Sequence, residues 1–192
     1  MARPAFAQVR PFFLFTEERF AASNTFNATF GTSVEPTFGG GVDVVMHRFF
    51  VDVAVSRMSK TGQRFFVDST GTAFGLGIPS HVTLTPVELS AGYRRPIGRI
   101  IPYGSVGVGW YRYSQVDDFS AAGENVATTH SGVLANGGIE VRLSKWWSVA
   151  GDAQYTHVSG ILGQSSLTSG SQAFGEDDLG GVAARVRVLF GR

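Results

Sequence analysis

Cysteine is absent from the 192-residue sequence, and helix-forming patterns are scarce. The lack of cysteine excludes a disulfide framework and a thiolate metal site. No stretch of about 20 apolar residues occurs, so the sequence offers no candidate transmembrane helix. Sixteen Lys and Arg residues against 15 Asp and Glu residues leave a formal net charge of +1. That balance lacks the basic surplus typical of nucleic-acid-binding proteins.

Glycine and phenylalanine are abundant, with 25 and 16 residues, and 43% of the chain is hydrophobic. A single domain of this length can bury a sizeable core. Alternating and β-branched runs are separated by clusters of Gly, Ser, Thr and Asp, which is typical of strands and their turns. The composition therefore indicates an all-β domain. A β-barrel can cross a bilayer because its strands satisfy each other's backbone groups.

The N-terminus contains one processing signal. Pro4-Ala5-Phe6-Ala7, followed by Gln8, resembles the small-residue end of a secretory signal peptide. No apolar segment precedes it, which leaves two interpretations open: a trimmed start or a chance resemblance. We therefore divide the chain into 1–7, a signal-peptide remnant or N-terminal extension, and 8–192, a single barrel domain.

Eight strands are predicted, at 8–19, 34–46, 49–60, 81–94, 102–116, 129–143, 147–160 and 180–190. The connections between them alternate strictly between long and short. The long ones are 20–33, 61–80, 117–128 and 161–179, and the short ones are 47–48, 95–101 and 144–146. In an up-and-down barrel this alternation places all long loops at one end and both termini at the other. Outer-membrane barrels have this asymmetry.

Most of the predicted strands have one apolar and one polar face. In the last strand, for example, Val182 and Val186 alternate with Arg185 and Arg187. Alternation alone does not orient a barrel, since a soluble lipocalin-like carrier has its apolar face inside. Two features favour an apolar exterior. The polar face is rich in Gly, Ala and Ser, which fit a narrow eight-stranded interior, and its charges balance.

Ten ionisable residues on the polar faces form a predicted lumen charge network. They are Arg10, Asp43, Asp52, Glu88, Arg94, Glu140, Arg142, Asp152, Arg185 and Arg187. Acids and bases are equal in number, as a confined interior requires, because an unpaired buried charge costs on the order of 3–5 kcal/mol. Two strands deviate. The first is apolar on both faces, and the fourth changes parity near Pro86, where we expect a β-bulge.

Aromatic residues collect near the predicted strand ends. Those near the short turns are Phe49, Tyr93, Tyr103, Trp146, Trp147 and Phe190, and those near the long loops are Phe20, Phe65, Phe66, Tyr113 and Tyr155. Two aromatic girdles are typical of the two interfaces of a membrane barrel. The alternative is that aromatic residues simply end the strands.

These patterns resemble the small bacterial outer-membrane β-barrel families, the A-, X- and W-type outer-membrane proteins. The resemblance extends over nearly the whole chain and is carried by 102–111, 138–142 and the closing 180–190. The closing segment resembles the terminal strand that the barrel-assembly machinery reads, although Gly191 and Arg192 follow the aromatic Phe190 here. The resemblance implies an all-β fold, an eight-stranded antiparallel up-and-down transmembrane β-barrel, in the outer membrane of a Gram-negative bacterium.

The fold does not name the activity, because members of this group act as anchors, adhesins, narrow channels or, rarely, lipid-modifying enzymes. We favour a structural or interaction role in the cell envelope, with the lumen largely plugged by charged side chains. The alternative is a narrow channel for small solutes. Expected partners are outer-membrane lipids and lipopolysaccharide, and the barrel-assembly machinery during insertion. We expect a monomer without cofactor or nucleic acid.

An enzymatic alternative rests on His157 and Ser159. Their spacing resembles the His-x-Ser of outer-membrane lipid A deacylases, in which the His is the base for a Ser nucleophile. Residues i and i+2 of a strand share a face. That family has Asn after the Ser, where this chain has Gly160, and Glu176 is a candidate for the carboxylate that orients the His. A pair of ordinary rim residues is the simpler interpretation, so no catalytic residue is assigned.

Metal binding has little support in the sequence. The four histidines, His47, His81, His130 and His157, are too scattered to suggest a site. His130 and Ser131 are neighbours whose side chains would face opposite sides of a strand. The acidic segments 117–118 and 176–178 could hold divalent cations near lipopolysaccharide phosphates, although solvated loop charge is the simpler interpretation.

Overall fold

The computed structural model describes residues 7–68, 70–118, 125–160 and 174–191. The elements in these ranges are, in order, β1 (Gln8–Phe20), α1 (Ser23–Phe30), β2 (Val34–Met46), β3 (Phe49–Val67), β4 (Ala73–Arg94), β5 (Ile100–Asp117), β6 (Val126–Arg142), β7 (Trp147–His157) and β8 (Gly181–Phe190). Residues 1–6 of the predicted signal-peptide remnant lie outside the described ranges.

The strands form a closed barrel in chain order, and every pairing is antiparallel. β1 pairs with β2 on one side and with β8 on the other, so the sheet closes on itself. Closure satisfies the backbone groups that would otherwise be left along two sheet edges. The predicted eight-stranded antiparallel up-and-down barrel is therefore confirmed.

β3 and β4 form a long hairpin that reaches beyond the other strands. A long loop was predicted at 61–80, but β3 continues to Val67 and β4 begins at Ala73. In the turn, the backbone N–H groups of Thr70 and Thr72 each donate to Asp68 Oδ1 over 2.9 Å. The loop prediction was wrong for most of this segment, because the β3–β4 ladder continues through a register shift between Gln63 and Phe65.

The connection between β1 and β2 contains α1, which was predicted only as part of a loop. The helix ends at Gly31, which has the left-handed conformation with φ 75°. Its eight residues are too few for a helix to be stable by itself in water. Tertiary contacts, described below, therefore hold α1 in place. In the described part of the chain, no helix has the length and apolar composition needed to cross a membrane.

Side chains alternate between the barrel exterior and interior. On β1, Phe13 is 70% exposed whereas Arg10 is 6% exposed. The same alternation holds on β8, where Val182 and Val186 are exposed and Arg185 and Arg187 are buried. The exterior is therefore apolar and the interior contains the charges, which is the orientation inferred from the sequence.

The predicted β-bulge at Pro86 is wrong. β4 pairs with β5 in unbroken register from Ser80 to Arg94. Val82 and Leu84 are buried on the same face as Glu88. The alternation does not shift, because the interior itself becomes apolar toward the long loops.

The structure agrees better with the aromatic girdle predicted near the short turns than with the one predicted near the long loops. Near the short turns, Phe49, Tyr93, Trp146, Trp147 and Phe190 are exposed, whereas Tyr103 is only partly exposed and faces the interior. Near the long loops, Phe66 and Tyr155 are exposed, but Phe20, Phe65 and Tyr113 are buried. The second girdle was partly wrong because an aromatic residue near a strand end can equally well fill the mouth of the barrel.

Candidate functional site

The barrel interior contains two groups of ion pairs. The first, here the turn-side group, consists of Arg10, Asp43, Arg94 and Glu140, near the short turns. Arg10 Nη1 donates to Glu140 Oε1 over 2.8 Å, and Arg10 also pairs with Asp43. Arg94 Nη2 lies 3.1 Å from Glu140 Oε2. All four residues are at most 6% exposed, so these charges interact with little screening by solvent.

The second, here the central group, consists of Asp52, Glu88, Asp152, Arg185 and Arg187. Arg187 Nη1 lies 2.5 Å from Asp52 Oδ2, and its Nε lies 3.1 Å from Asp152 Oδ2. Arg185 Nε lies 2.7 Å from Asp152 Oδ1, and its Nη1 lies 3.2 Å from Glu88 Oε2. Asp152 is thus shared by two guanidinium groups, which links the pairs into one network.

Aromatic side chains complete the central group. The Arg187 guanidinium lies 5.0 Å from the ring centre of Tyr103 and 5.5 Å from that of Phe12. The Tyr103 hydroxyl donates to Asp152 Oδ2 over 2.6 Å, and the Tyr111 hydroxyl donates to Glu88 Oε1 over 3.1 Å. Phe12 and Tyr103 thus supply cation–π contacts, and the hydroxyls of Tyr103 and Tyr111 supply hydrogen bonds to buried or partly buried carboxylates.

Nine of the ten residues predicted for the network lie in these two groups. The exception is Arg142. It has the same parity as Glu140, but it is the last residue of β6, paired with Ser148 of β7, and its side chain is exposed. Its position follows from the short turn that ends β6, because side chains at the barrel mouth leave the enclosed interior.

The interior also contains acids that the sequence analysis missed. Glu35 is 2% exposed, and its Oε1 lies 2.5 Å from Lys60 Nζ. Glu18 lies on the interior face of β1 and is partly buried. Strand parity was sufficient to find both, because Glu35 shares a face with Asp43 and Glu18 shares one with Arg10. With them, acids outnumber bases among the described interior residues, so the equality of charges inferred from the sequence does not describe the interior.

Toward the long loops the interior becomes a hydrophobic cluster, here the apolar cap. It consists of Phe20, Ala22, Phe26, Met58, Val82, Leu84, Tyr111, Tyr113, Val158 and Leu179. Phe26 of α1 stacks on Phe20 of β1 with ring centres 4.1 Å apart. The helix thus lies over the barrel mouth and contributes an aromatic ring to its filling.

Glu176 fixes the start of α1 from the connection between β7 and β8. The backbone N–H groups of Asn24 and Thr25 donate to its two carboxylate oxygens over 3.0 and 2.8 Å. The Thr25 hydroxyl donates to Glu176 Oε2 over 2.8 Å. The first N–H groups of a helix lack partners within it, and a carboxylate satisfies them and complements the helix dipole.

Asp178 organises the same connection. The backbone N–H groups of Val158 and Gly180 each donate to its Oδ1 over 2.8 Å, and His157 Nδ1 lies 2.6 Å from its Oδ2. Burial disfavours the ionised carboxylate, but these hydrogen bonds and the neighbouring His157 favour it more. Together they hold the pKa of Asp178 below its usual value.

These contacts correct the assignment made for the His157 and Ser159 pair. The carboxylate that orients His157 is Asp178, whereas Glu176 binds α1. His157 and Ser159 are both exposed, and no hydrogen bond joins these two described residues. A His–Asp pair is therefore formed at the long-loop rim, and Ser159 is not hydrogen-bonded to it.

The other polar residues considered from the sequence are dispersed. Gln115 donates to Asp117 over 3.1 Å, and His81 Nε2 lies 3.7 Å from Asp118. Across the described ranges, no group of three or more His, Cys, Asp or Glu side chains is arranged to hold a metal ion. The acidic segments engage in separate contacts with their own neighbours.

A family comparison agrees with this architecture. The family model for the outer membrane protein beta-barrel domain matches residues 18–186. No curated protein sequence is significantly similar to the chain.

Solved structures with this fold cover nearly the whole chain at low sequence identity. Neisserial surface protein A has a TM-score of 0.58 and 9% identity, with 97% of both chains covered. The N-terminal β-barrel domain of Pseudomonas aeruginosa OprF has a TM-score of 0.55 and 12% identity, with 97% of this chain and 100% of that chain covered. Ail of Yersinia pestis has a TM-score of 0.54 and 11% identity, with 97% and 99% covered.

Proposed function

Because the chain belongs to the outer membrane protein beta-barrel domain family and therefore lies in the bacterial outer membrane, we propose that it is a structural or interaction protein of the cell envelope. In this proposal the lumen is largely plugged by its own side chains and does not conduct ions. The long loops face the exterior of the cell and the short turns face the periplasm.

The observation that carries the proposal is the layered filling of the interior. The turn-side group, the central group and the apolar cap follow one another along the barrel axis. An eight-stranded barrel leaves an interior just wide enough for side chains to fill. Ions that cross such an interior would have to break several buried ion pairs and displace the aromatic rings of the cap.

Planar bilayer recordings with the purified full chain test this proposal. We expect no steady conductance above the lipid background. Insertion is checked separately, by the faster gel migration of the unheated protein recovered from the same lipid. This control distinguishes an absence of conductance from failed reconstitution. Stable channels from inserted protein would overturn the plugged lumen.

A narrow channel for small solutes is the alternative in that case. One observation favours it: a cavity of about 580 Å³ opens from the short-turn end and reaches Arg10. A route through the barrel would then begin there and require movement of the central group. Recordings with an Arg187→Ala variant would show altered conductance if ions pass this residue.

Contact with lipopolysaccharide is supported by two exterior arginines. Arg57 on β3 and Arg112 on β5 are exposed at the level where the apolar belt ends. Val55 and Trp110, each two positions closer to the short turns on the same strand, are exposed and apolar. Ser59 and Ser114, each two positions closer to the long loops, are polar. Guanidinium groups at such a boundary suit the phosphates of lipopolysaccharide.

Retention of lipopolysaccharide through detergent purification tests this contact. We expect an Arg57→Gln/Arg112→Gln variant to retain less lipopolysaccharide than the wild type. The control is Arg48→Gln/Arg95→Gln, which removes the same charge from the short-turn end. Equal retention in all three proteins would contradict the contact.

A lipid A deacylase-like activity is the second alternative, and the His157–Asp178 contact is the observation that favours it. Ser159 would have to approach His157 when substrate binds. Incubation with lipopolysaccharide, followed by detection of released acyl chains, tests this activity. Release that is lost in a Ser159→Ala variant would establish it, and no release from the wild type would exclude it under those conditions.

A further inference from the structure

The short-turn end of the barrel contains a cavity of about 580 Å³, a volume within the range of small-ligand sites. Its walls come from the first residues of β1, the β4–β5 turn, the end of β6, the β6–β7 turn and the start of β7. The charged residues that line it are Arg10, Arg99, Glu140, Arg142 and Lys145. Four of these five are bases.

The single acid in the cavity, Glu140, does not neutralise the three exposed bases, Arg99, Arg142 and Lys145. Glu140 is 3% exposed, and Arg10 and Ser148 donate to it while Arg94 lies against its second oxygen. Its charge is thus already paired with Arg10 and Arg94 of the turn-side group. Arg99, Arg142 and Lys145 are exposed and form no ion pair with any residue of the described ranges. They are available to a ligand.

The floor of the cavity is Arg10, which is 6% exposed. Its two Nη groups bind Asp43 and Glu140, but its Nε has no hydrogen-bond partner. A buried guanidinium with an unpartnered donor below three solvent-facing bases is an arrangement that favours an acceptor-rich, negatively charged group.

The surroundings strengthen this preference. The other exposed charged residues at this end are Arg48, on the β2–β3 turn, and Arg95, on the β4–β5 turn outside the cavity. Both are bases, and the described surface at this end has no exposed acid. A cleft lined by charges of one sign concentrates ions of the opposite charge. Guanidinium forks match the geometry of phosphate oxygens and bind them through two parallel hydrogen bonds.

We propose that this cavity binds a phosphate group, with Arg99, Arg142 and Lys145 as its ligands at the periplasmic mouth of the barrel. The phosphate could belong to a soluble organic phosphate of the periplasm or to the headgroup of a phospholipid in the inner leaflet. Both sources present the same chemistry to the arginines. The site does not depend on whether the lumen conducts.

Isothermal titration calorimetry of the full chain in an uncharged detergent tests the proposal. The probes are glycerol 3-phosphate, glycerol as the uncharged control, and dihexanoyl phosphatidylglycerol below its micelle-forming concentration. We expect saturable binding of at least one phosphate probe and none of glycerol. Binding of glycerol 3-phosphate assigns a soluble ligand, and binding of the lipid alone assigns a headgroup.

Two matched variants locate the site. Arg99→Gln/Arg142→Gln removes two bases that line the cavity, and we expect it to weaken binding about tenfold or more. Arg48→Gln/Arg95→Gln removes two bases from the same end outside the cavity, and we expect a change within about twofold. Folding of each variant is verified by heat-modifiable gel mobility. No saturable binding by the wild type, or an equal loss in both variants, would overturn the proposal.

Discussion

Arg187 on β8 contacts residues of four other strands. Its guanidinium pairs with Asp52 of β3 and Asp152 of β7 and lies against the rings of Phe12 of β1 and Tyr103 of β5. A residue with such contacts joins opposite walls of the barrel. Its charge cannot be removed without leaving two carboxylates in an enclosed, poorly solvated interior.

Replacement of this arginine is expected to be costly. Arg187→Ala should lower the free energy of unfolding by about 3–5 kcal/mol, because the acids that it neutralises remain buried. Urea titration of the protein in lipid vesicles, followed by tryptophan fluorescence, measures the change. The matched control is Arg95→Ala, which removes an exposed arginine and should change stability by about 0.5 kcal/mol or less. A similar small effect for both variants would contradict the role given to the central group.

On the exterior surface, in contrast to the interior, an introduced charge is expected to be destabilising. Val186 is 48% exposed near the middle of β8, and Val182 is 57% exposed on the same face near the outer end. Val186→Arg should cost about 2–4 kcal/mol if this site lies near the bilayer midplane, whereas Val182→Arg, closer to the interface, should cost about 0–1 kcal/mol. The same vesicle titration compares the two. Equal costs would show that the exterior is not graded by membrane depth.

Among the elements, α1 depends most on its neighbours. It is short, its N-terminal amides bind Glu176 from a distant connection, and its Phe26 stacks on Phe20. Two segments separated by most of the sequence are thereby joined over the barrel mouth. We therefore expect the helix and residues 174–180 to be ordered or released together.

The carboxylate of Glu176 is the link that can be tested. Glu176→Gln removes its charge and one acceptor, and the loss of a helix N-cap costs typically about 1 kcal/mol. Amide hydrogen exchange of Asn24 and Thr25 should accelerate several-fold. Asp177→Asn is the matched control, since Asp177 is exposed and the carboxylate that binds the helix amides belongs to Glu176. If both variants exchange alike, the cap does not act through Glu176.

Protonation of Asp178 at acidic pH should weaken its hydrogen bonds with the backbone N–H groups of Val158 and Gly180. The pKa of Asp178 in the folded protein lies below the usual value of 3.8, so the stabilisation is fully present above that value. It is lost as the pH falls through the lowered folded pKa. Protection of the Val158 and Gly180 amides, corrected for intrinsic exchange, should therefore fall only under strongly acidic conditions. An Asp178→Asn variant should show reduced protection without this pH dependence, and a loss of protection near neutral pH in the wild type would point to another group.

At the scale of the whole molecule, closure of the barrel and the distribution of polarity act together. The β1–β8 pairing leaves each strand with two neighbours. The exterior belt presents Val, Leu, Phe and Trp side chains, and the ion pairs are enclosed. Such a molecule is stable where its exterior is covered by lipid or detergent, in contrast to a soluble carrier barrel with an apolar cavity.

Gel mobility distinguishes these two types of barrel. The protein should require detergent to remain in solution, and the unheated sample should migrate faster in dodecyl sulfate gels than the boiled sample. The closed hydrogen-bonded barrel resists the detergent until heat opens it. Solubility without detergent, with identical mobility before and after boiling, would contradict the membrane orientation.

Most of what could be predicted from the sequence came from strand parity, the alternation of side chains between the two faces of a strand. It located the eight strands, separated the lipid face from the interior and assigned ten residues to the interior network, nine of which the structure places there. It succeeded because side chains alternate with a period of two, so each face must suit a single environment. Applied without exception, the same rule would also have identified Glu18 and Glu35.

The sequence by itself determined the all-β class, the antiparallel order and the apolar exterior, because these follow from local alternation and from the lengths of connections. Only the tertiary structure decided which charges meet, that α1 covers the mouth, that Asp178 rather than Glu176 contacts His157, and that Arg142 lies outside the network. Those outcomes depend on residues far apart in the chain. Their distances are set by closure and stagger of the strands, which no local pattern encodes.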